Sequence, residues 1–416
     1  MTASVLSASF LPQPAADDRA RRGRARFAVA LLLVPLIGVT FLAKPAIPPL
    51  GAQAIGITIP LIYLAVLMAA LGGVLRIDAG RAIMFLLTIG WLGLSTVLQA
   101  EEISLTSLTL LVALHLPYIF ELAETPAAAG KSEFGVQAFL VVATVLAWLG
   151  LAQFAVQWVA GPKLAFPIET FVPARFLVQY FNAQGVLSYG SDIFRSTGVF
   201  MLEPSYLSQL LAVAIVAELC TSMRLTRVAL FALGMLVTYS GTGIMILALC
   251  VPLLLARKRR WDLLLAGVLC VAALFALREY FYLDQFLSRA GEFSSPQSSG
   301  FARFVGGFYL FDQFLWDHPL RALFGYGAGT FKIFMERSAY PVVEMPLFKM
   351  VMEFGIVGAL VYFTFICYCF FTCSVSRMIA VAVLLTALLN GLYVPFSQGL
   401  ALTLLIWPSV RTGRAA

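Results

Sequence analysis

Long apolar runs fill most of this chain, and short polar breaks separate them. About 20 apolar residues are needed for one membrane-spanning helix, so each run is a candidate span. The runs cover residues 27–43, 52–75, 82–99, 103–122, 134–160, 199–222, 228–256, 262–277, 350–373 and 378–410.

Two of these runs contain turn-forming residues near their centres. Residues 239–243 (YSGTG) interrupt the run 228–256, and residues 390–395 (NGLYVP) interrupt the run 378–410. Clusters of Gly, Ser, Asn and Pro mark turns rather than helix interiors. Interpreted as tight hairpins, these runs bring the expected number of spans to about twelve.

Composition agrees with this pattern, since 61% of the residues are apolar and only 12% are charged. The sequence therefore predicts an all-α fold, a polytopic integral membrane bundle of about twelve transmembrane helices. Residues 27–410 form this single domain, while the Arg-rich tail 1–26 is expected to be disordered and 411–416 is a short second tail. The first run is expected to be a retained anchor rather than a cleaved signal peptide.

The distribution of Lys and Arg predicts the orientation of the bundle, because cationic short loops face the cytoplasm. With the hairpin at 239–243, Arg224, Arg227 and the basic run 257–260 all fall on the cytoplasmic side. Both termini are then cytoplasmic. The net charge of +7 is explained largely by these cytoplasmic Lys and Arg residues, so it does not indicate a nucleic-acid partner.

Two predicted outer loops, residues 161–197 and 278–346, are too long to be turns. Most of the Lys and Arg residues that lie outside the short loops and tails are in these two segments, including Arg195, Arg289, Arg303 and Lys332. Such charges are often ordinary solvated loop charges, because long translocated loops are exempt from the charge bias. The alternative is an outward-facing anion site, since the planar guanidinium fork suits phosphate.

The end of the first loop is the most informative junction. Residues 193–209 read IFRSTGVFMLEPSYLSQ, so Arg195 and Glu203 lie where a polar loop becomes an apolar span. Charges at that depth are costly and often functional. Glu203 precedes Pro204 at a predicted helix start, where a carboxylate also stabilises the helix N-terminus.

The second loop contains an aromatic segment, residues 301–316 (FARFVGGFYLFDQFLW). It is too short and polar to span, so an interfacial helix is predicted, with aromatic capping of the bundle as the alternative. Three alternating glycines follow, Gly325, Gly327 and Gly329, and they allow close backbone approach or positive φ.

Ionisable residues are scarce inside the spans, where only His115 and Asn390 are polar candidates at depth. A lone histidine there is more often hydrogen-bonded within the bundle than catalytic. An ion-coupled carrier is therefore disfavoured. The six cysteines show no metal or disulfide spacing, so no metal or cofactor is expected.

The order of several short motifs resembles the O-antigen polymerase and ligase superfamily of bacterial inner-membrane glycosyltransferases. The matching segments are residues 195–205 (RSTGVFMLEPS), 238–243 (TYSGTG), 299–303 (SGFAR), 318–327 (HPLRALFGYG) and 353–358 (EFGIVG). They cover about residues 190–360, while the N-terminal half matches only in hydropathy. The Glu-Pro-Ser form is closer to the polymerases than to the ligases.

The resemblance implies a GT-C-like helical fold and a metal-independent transfer from an undecaprenyl-pyrophosphate-linked glycan on the periplasmic side. A sugar hydroxyl of a second lipid-linked glycan attacks, and the lipid pyrophosphate leaves. By this analogy Arg195 and Arg303 clamp the pyrophosphate, with Arg289 and Lys332 as further cationic candidates. Each clamp arginine has a structural alternative, which is pairing with Glu203 or Asp312.

The chain departs from the family at one place. Relatives, especially ligases, carry a His-Asn pair before the span that begins near Phe348, and residues 343–346 here read VEMP. Glu344 is a candidate replacement base, or equally a solvated loop residue. Glu203 is the rival carboxylate.

The sequence thus predicts a polysaccharide polymerase of the bacterial inner membrane, with a flippase and a chain-length regulator of the same pathway as expected partners. Three alternatives remain. A structural scaffold in a polysaccharide assembly complex would tolerate loss of the periplasmic arginines. A ligase that passes glycan to a lipid A core or another acceptor shares every motif. A non-enzymatic flippase for lipid-linked oligosaccharide needs a cationic cavity within the spans.

Overall fold

The computed structural model describes residues 15–48, 55–99, 104–122, 131–179, 181–187, 193–277, 294–372 and 376–408, and these are mostly helical. The helices of the first half are α1 (Ala15–Thr40), α2 (Thr58–Leu71), α3 (Ala79–Gln99), α4 (Leu105–His115), α5 (Lys131–Ala160), α6 (Pro162–Ala165) and α7 (Pro167–Phe171). The remaining helices are α8 (Pro204–Cys220), α9 (Leu225–Leu236), α10 (Gly241–Arg257), α11 (Trp261–Ala276), α12 (Ser299–Phe304), α13 (Gly306–Phe314), α14 (Pro319–Phe324), α15 (Phe331–Arg337), α16 (Pro346–Phe371), α17 (Arg377–Leu389) and α18 (Phe396–Ala401).

Strands are confined to two small antiparallel ladders among the described residues. They pair β1 (Ala46–Ile47) with β2 (Ile55–Gly56), and β3 (Leu75–Ile77) with β4 (Phe120–Leu122). The second ladder places Arg76 opposite Glu121. Helix α1 begins at Ala15, so residues 15–26 are helical where the sequence predicted a disordered tail.

Four helical segments in the described part of the chain are long and apolar enough to cross a membrane: Gly23–Thr40, Ala79–Gln99, Phe134–Ala160 and Pro346–Phe371. The other apolar helices have 10–17 residues. At 1.5 Å per residue, a helix of 17 residues is about 25 Å long, which is short of a bilayer core of about 30 Å. The structure therefore supports a helical membrane protein but does not confirm twelve spans.

Both predicted breaks are present. Helix α9 ends at Leu236 and α10 begins at Gly241, and Tyr239 between them has a φ of +45°. Residues 390–395 likewise separate α17 from α18. At the first break the gap is residues 237–240, and Gly241 and Gly243 lie in the first turn of α10. At the second break, Asn390 and Pro395 are the first and last residues of the gap, and proline cannot continue a regular helix without cost.

Helix α8 is the centre of the core. Every residue from Pro204 to Leu219 is buried, and α5, α9, α10 and α17 pack around the helix. Helix α10 crosses it closely at Gly243, where a Cβ atom would lie 2.4 Å from Ser208 Oγ and 2.5 Å from the Ser208 carbonyl oxygen. Only glycine allows this crossing, so the starts of α8 and α10 are held side by side.

The aromatic segment forms two short helices, α12 and α13, rather than one. Phe311 is buried on one face of α13, whereas Phe308 is 54% exposed on the other. Gly307 lies directly against the ring of Phe348, where a Cβ atom would be 2.2 Å from its carbon atoms. One face of this segment therefore caps the bundle while the other stays exposed.

The alternating glycines have the conformation that the sequence suggested. Gly325, Gly327 and Gly329 have φ values of +78°, +94° and +84°. The backbone of Gly325 lies against Glu353, and the N–H of Gly327 donates to the Glu353 carbonyl oxygen at 2.8 Å. Two of the resembling motifs, residues 318–327 and 353–358, are therefore packed against each other.

Candidate functional site

A pocket of about 410 Å³ brings together three residues that the sequence singled out, Arg195, Glu203 and Arg303. It is lined by Asn182, Arg195, Glu203, Pro204, Ser205, Ser240, Gly241, Thr242, Met245, Ser299, Gly300, Arg303 and Phe304. We call it the arginine pocket. Ten of its thirteen lining residues come from the three motifs at residues 195–205, 238–243 and 299–303, which are far apart in the chain.

Two helix starts line the arginine pocket. Helix α8 begins at Pro204 behind Glu203, and α10 begins at Gly241 behind Ser240. The backbone N–H groups at a helix start have no partner within the helix and carry a partial positive charge. The N–H groups at the start of α10 and the two guanidinium groups therefore favour an anion here, opposed by the carboxylate of Glu203.

Arg303 and Glu203 form an ion pair across the pocket. Arg303 Nη2 lies 3.6 Å from Glu203 Oε2, and the two side chains are 28% and 17% exposed. Glu203 also accepts hydrogen bonds from the backbone N–H of Asn182 at 3.2 Å and from Ser205 Oγ at 3.1 Å. Of the structural partners predicted for Arg303, Glu203 is the one that the structure shows.

Glu203 occupies the N-cap of α8 with an extended backbone, and Pro204 follows at the first helical position. Its carboxylate bonds to Ser205 Oγ and makes no capping hydrogen bond to the helix backbone. The predicted position at a helix start is therefore confirmed. Its carboxylate is directed into the pocket rather than used as a cap.

Arg195 is fixed by the strand-like segment beside it. Its Nε donates to the Val186 carbonyl oxygen at 3.1 Å, and its backbone N–H donates to Gly185 at 2.9 Å. The guanidinium lies over Gly185, where a Cβ atom would come within 2.9 Å of Nη2. A glycine at position 185 therefore leaves room for the arginine.

The structure places Glu344 outside the arginine pocket. Its Oε1 lies 3.4 Å from Lys349 Nζ, which is itself 3.0 Å from Glu353 Oε1. The neighbouring Val343 N–H donates to the Ala302 carbonyl oxygen at 2.9 Å, so the backbone of this segment touches the helix that carries Arg303. The side chain, however, belongs to a second group of charges.

That second group, here called the lysine cluster, comprises Glu344, Lys349, Glu353 and Tyr393. Lys349 and Glu353 are 4% and 0% exposed. Lys349 Nζ lies 4.7 Å from the centre of the Tyr393 ring, and Glu353 Oε1 accepts the N–H of Phe331 at 3.3 Å. Sequence reasoning missed this cluster, although the spacing of Lys349 and Glu353, four residues apart on one helix, was a signal for it.

The other predicted cations do not join the arginine pocket. Lys332 is 71% exposed on α15, 3.9 Å from Glu336. Arg289 lies outside the described residues. Among the polar residues predicted at depth, His115 is hydrogen-bonded to the Leu111 carbonyl oxygen and to Tyr362, both at 2.9 Å, and Asn390 pairs with Gln209. His115 is thus bonded inside the bundle, as predicted.

Three residues outside every predicted motif hold the segment that carries Arg195. They are Lys44, Gln153 and Gln157, and their side chains bond to residues 194–199. Lys44 also pairs with Glu169 at 2.5 Å. Burial lowers the pKa of Lys44 from its ordinary value, and the nearby Glu169 carboxylate opposes that shift.

An apolar cavity of about 220 Å³ adjoins the arginine pocket. Phe181 and Tyr206 line it, while their chain neighbours Asn182 and Ser205 line the arginine pocket. The rest of its wall is almost entirely apolar and includes Val39, Leu110, Met201 and Phe396. A charged site and an apolar site are therefore next to each other.

The class of protein follows from the fold: the long apolar helices indicate a mostly helical membrane protein. No protein-family model matches the chain, and no curated protein matches it.

Proposed function

We propose that this protein is a polysaccharide polymerase of the bacterial inner membrane. It transfers glycan from an undecaprenyl-pyrophosphate-linked donor to a second lipid-linked glycan on the periplasmic side. The observation that carries the proposal is the meeting of Arg195 and Arg303 in one pocket, because they come from separate motifs about 100 residues apart.

The arginine pocket suits a pyrophosphate. Two guanidinium groups offer paired, charge-assisted hydrogen bonds to phosphate oxygens. The starts of α8 and α10 add N–H groups and partial positive charge. The pocket volume of about 410 Å³ is within the usual range for small-molecule sites.

The apolar cavity beside it supports a lipid-linked substrate rather than a free phosphate. An amphiphile would place its charged group against Arg195 and Arg303 and part of its hydrocarbon chain in the cavity lined by Phe181 and Tyr206. Burial of hydrocarbon contributes about 25 cal/mol per Å². Adjacent charged and apolar sites therefore favour such a substrate.

The reaction needs little from the protein beyond charge stabilisation. The acceptor hydroxyl oxygen attacks the anomeric carbon, the bond from that carbon to the phosphate oxygen breaks, and the pyrophosphate leaves with the electron pair. Arg195 and Arg303 stabilise the charge on this leaving group. The hydroxyl proton passes to a carboxylate, and we assign this role to Glu203 because it lines the pocket and Glu344 does not.

The test is to substitute Arg195→Ala and Arg303→Ala separately and to measure the length of surface glycan. Loss of one donor to a developing charge typically lowers a rate by about 10²–10³. A polymerase then leaves single repeat units, whereas a ligase leaves long chains unattached to their acceptor. Arg337→Ala, an exposed cation on α15, is the matched control and should leave glycan unchanged. Normal glycan at normal protein level in both pocket variants would contradict the proposal.

A further inference from the structure

Side chains on one face of α5 form hydrogen bonds with the segment that carries Arg195. Gln157 pairs with both backbone groups of Phe194: its Nε2 donates to the carbonyl oxygen at 2.9 Å, and its Oε1 accepts the N–H at 2.7 Å. The glutamine amide thus makes the two backbone hydrogen bonds that a neighbouring β-strand would otherwise make to Phe194. The residue immediately before Arg195 therefore has a fixed position relative to α5.

Gln153 holds the other side of Arg195. Its Oε1 accepts the N–H groups of Thr197 at 2.9 Å and Val199 at 3.1 Å, together with Ser196 Oγ at 2.9 Å. Its Nε2 donates to the Ala165 carbonyl oxygen at 3.0 Å. The side chain is 3% exposed, so its amide cannot bond to solvent and depends on these hydrogen bonds within the protein.

The held segment contains a strained turn. Gly198 and Val199 have φ values of +64° and +69°. A β-branched residue rarely adopts this conformation, and such strain persists only where neighbouring groups enforce it. Gln153 bonds the N–H of Val199, and Lys44 Nζ bonds its carbonyl oxygen, so buried side chains hold the residue at both of its backbone groups.

We infer that Gln153 and Gln157 are positioning residues for the anion-binding Arg195. Four residues apart, they lie on the same face of α5, within the apolar segment Phe134–Ala160. Between them they fix the backbone on both sides of residue 195, and a rigid helix sets the spacing. The inference rests on the proposed function of the arginine pocket. It adds that the side chains of Gln153 and Gln157 hold the backbone on either side of Arg195.

The test measures binding of inorganic pyrophosphate to the purified full-length protein in detergent. Arg195→Ala should weaken binding by roughly tenfold or more, because a hydrogen bond to a charged group is lost. Gln157→Ala should weaken it by about three- to tenfold in the otherwise unchanged protein, but by less than about twofold when Arg195 is already alanine. This loss of additivity is the signature of a residue that acts through Arg195.

Two further variants complete the set. Thr144→Val on the same helix removes a hydrogen bond to Leu140 that stays within α5, and it should leave binding unchanged. Gln157→Glu keeps an acceptor for the Phe194 N–H but sets a second oxygen against the Phe194 carbonyl oxygen and adds negative charge near the site, so it should weaken binding at least as much as alanine does. It also tests the pairing if the alanine variant fails to fold.

The outcomes separate the two claims. If Arg195→Ala binds pyrophosphate normally, the proposed role of the pocket fails, and the inference fails with it. If Arg195→Ala binds weakly while Gln157→Ala binds normally, only the positioning role is overturned. The same holds if Gln157→Ala has its full effect in the Arg195→Ala background.

Discussion

The arginine pocket and the lysine cluster are built from the same kinds of residues and differ in balance and burial. The pocket, which has a volume of about 410 Å³, sets two arginines against Glu203. The cluster sets two glutamates against Lys349, which is 4% exposed and covered by aromatic rings. An excess of cations next to open space suits a bound anion, whereas a buried bridge between carboxylates suits a structural joint.

Their partners support this difference. In the cluster, Glu353 accepts the N–H of Phe331, and its own carbonyl oxygen accepts that of Gly327, so the cluster joins the glycine-rich loop to α16. In the pocket, Arg303 reaches Glu203 only at 3.6 Å, with both groups partly exposed. Substitutions should therefore affect stability at the cluster and binding at the pocket.

The largest effect on stability is expected at Lys349. Lys349→Met leaves Glu353, which is fully buried, without its cation, and removing one partner of a buried pair costs about 3–5 kcal/mol. Thermal unfolding in detergent measures this loss. Arg260→Ala, which breaks the exposed pair with Asp262, is the control and should leave the unfolding temperature nearly unchanged, because solvent screens exposed ion pairs.

The added substitution Glu353→Gln should restore part of the stability lost in Lys349→Met, because it removes the unpaired charge. A Lys349→Met variant as stable as the unaltered protein would refute the structural role of the cluster. The contrast with the pocket would then have to be drawn on other grounds than burial.

The second prediction concerns the close crossing that forms the pocket wall. Gly243→Ala places a methyl group 2.4 Å from Ser208 Oγ, and overpacking of this kind costs about 1–3 kcal/mol. Because α10 must shift, the wall at residues 240–242 should move and pyrophosphate binding should also weaken. Gly267→Ala on α11 has no atom within 4 Å of the new methyl group and should change neither property.

Sequence reasoning succeeded where local chemistry decides the structure. The positive φ of the alternating glycines and the helix start behind Glu203 follow from what Gly and Pro do to a backbone. The break between α9 and α10 falls at residues 237–240, next to the predicted turn. The order of the motifs also singled out Arg195, Arg303 and Glu203, which the structure brings to one pocket.

It failed where contacts between distant parts of the chain decide the structure. Gln153 and Gln157 lie within an apolar run, and their partners at residues 194–199 lie 37–46 residues further along the chain. Glu344 was chosen for its place in the sequence, but Lys349, five residues on, draws its carboxylate into the lysine cluster. Hydropathy carries no information on whether the Glu344 carboxylate will face Lys349 or Arg303.

The smallest expected effect separates the two roles open to Glu203. Glu203→Gln keeps the size of the side chain and an oxygen for the Asn182 N–H, and its NH2 group can donate to Ser205 Oγ in place of the second carboxylate oxygen. The substitution removes the charge beside Arg303. A partly exposed pair of this kind is worth up to about 1 kcal/mol, so affinity for inorganic pyrophosphate should rise by up to about fivefold. Glycan polymerisation should nevertheless fall, because the amide cannot take the proton of the acceptor hydroxyl.

The control for this variant is Glu336→Gln, which neutralises an exposed carboxylate 3.9 Å from Lys332, outside the residues that line the pocket. It should alter neither affinity nor glycan length. If Glu203→Gln weakens pyrophosphate binding instead, then the carboxylate serves mainly to hold Arg303 in place, because loss of that anchor outweighs the relief of competition for the guanidinium. The arginine pocket would then resemble the lysine cluster in depending on a structural ion pair, and the proton acceptor would have to be sought elsewhere.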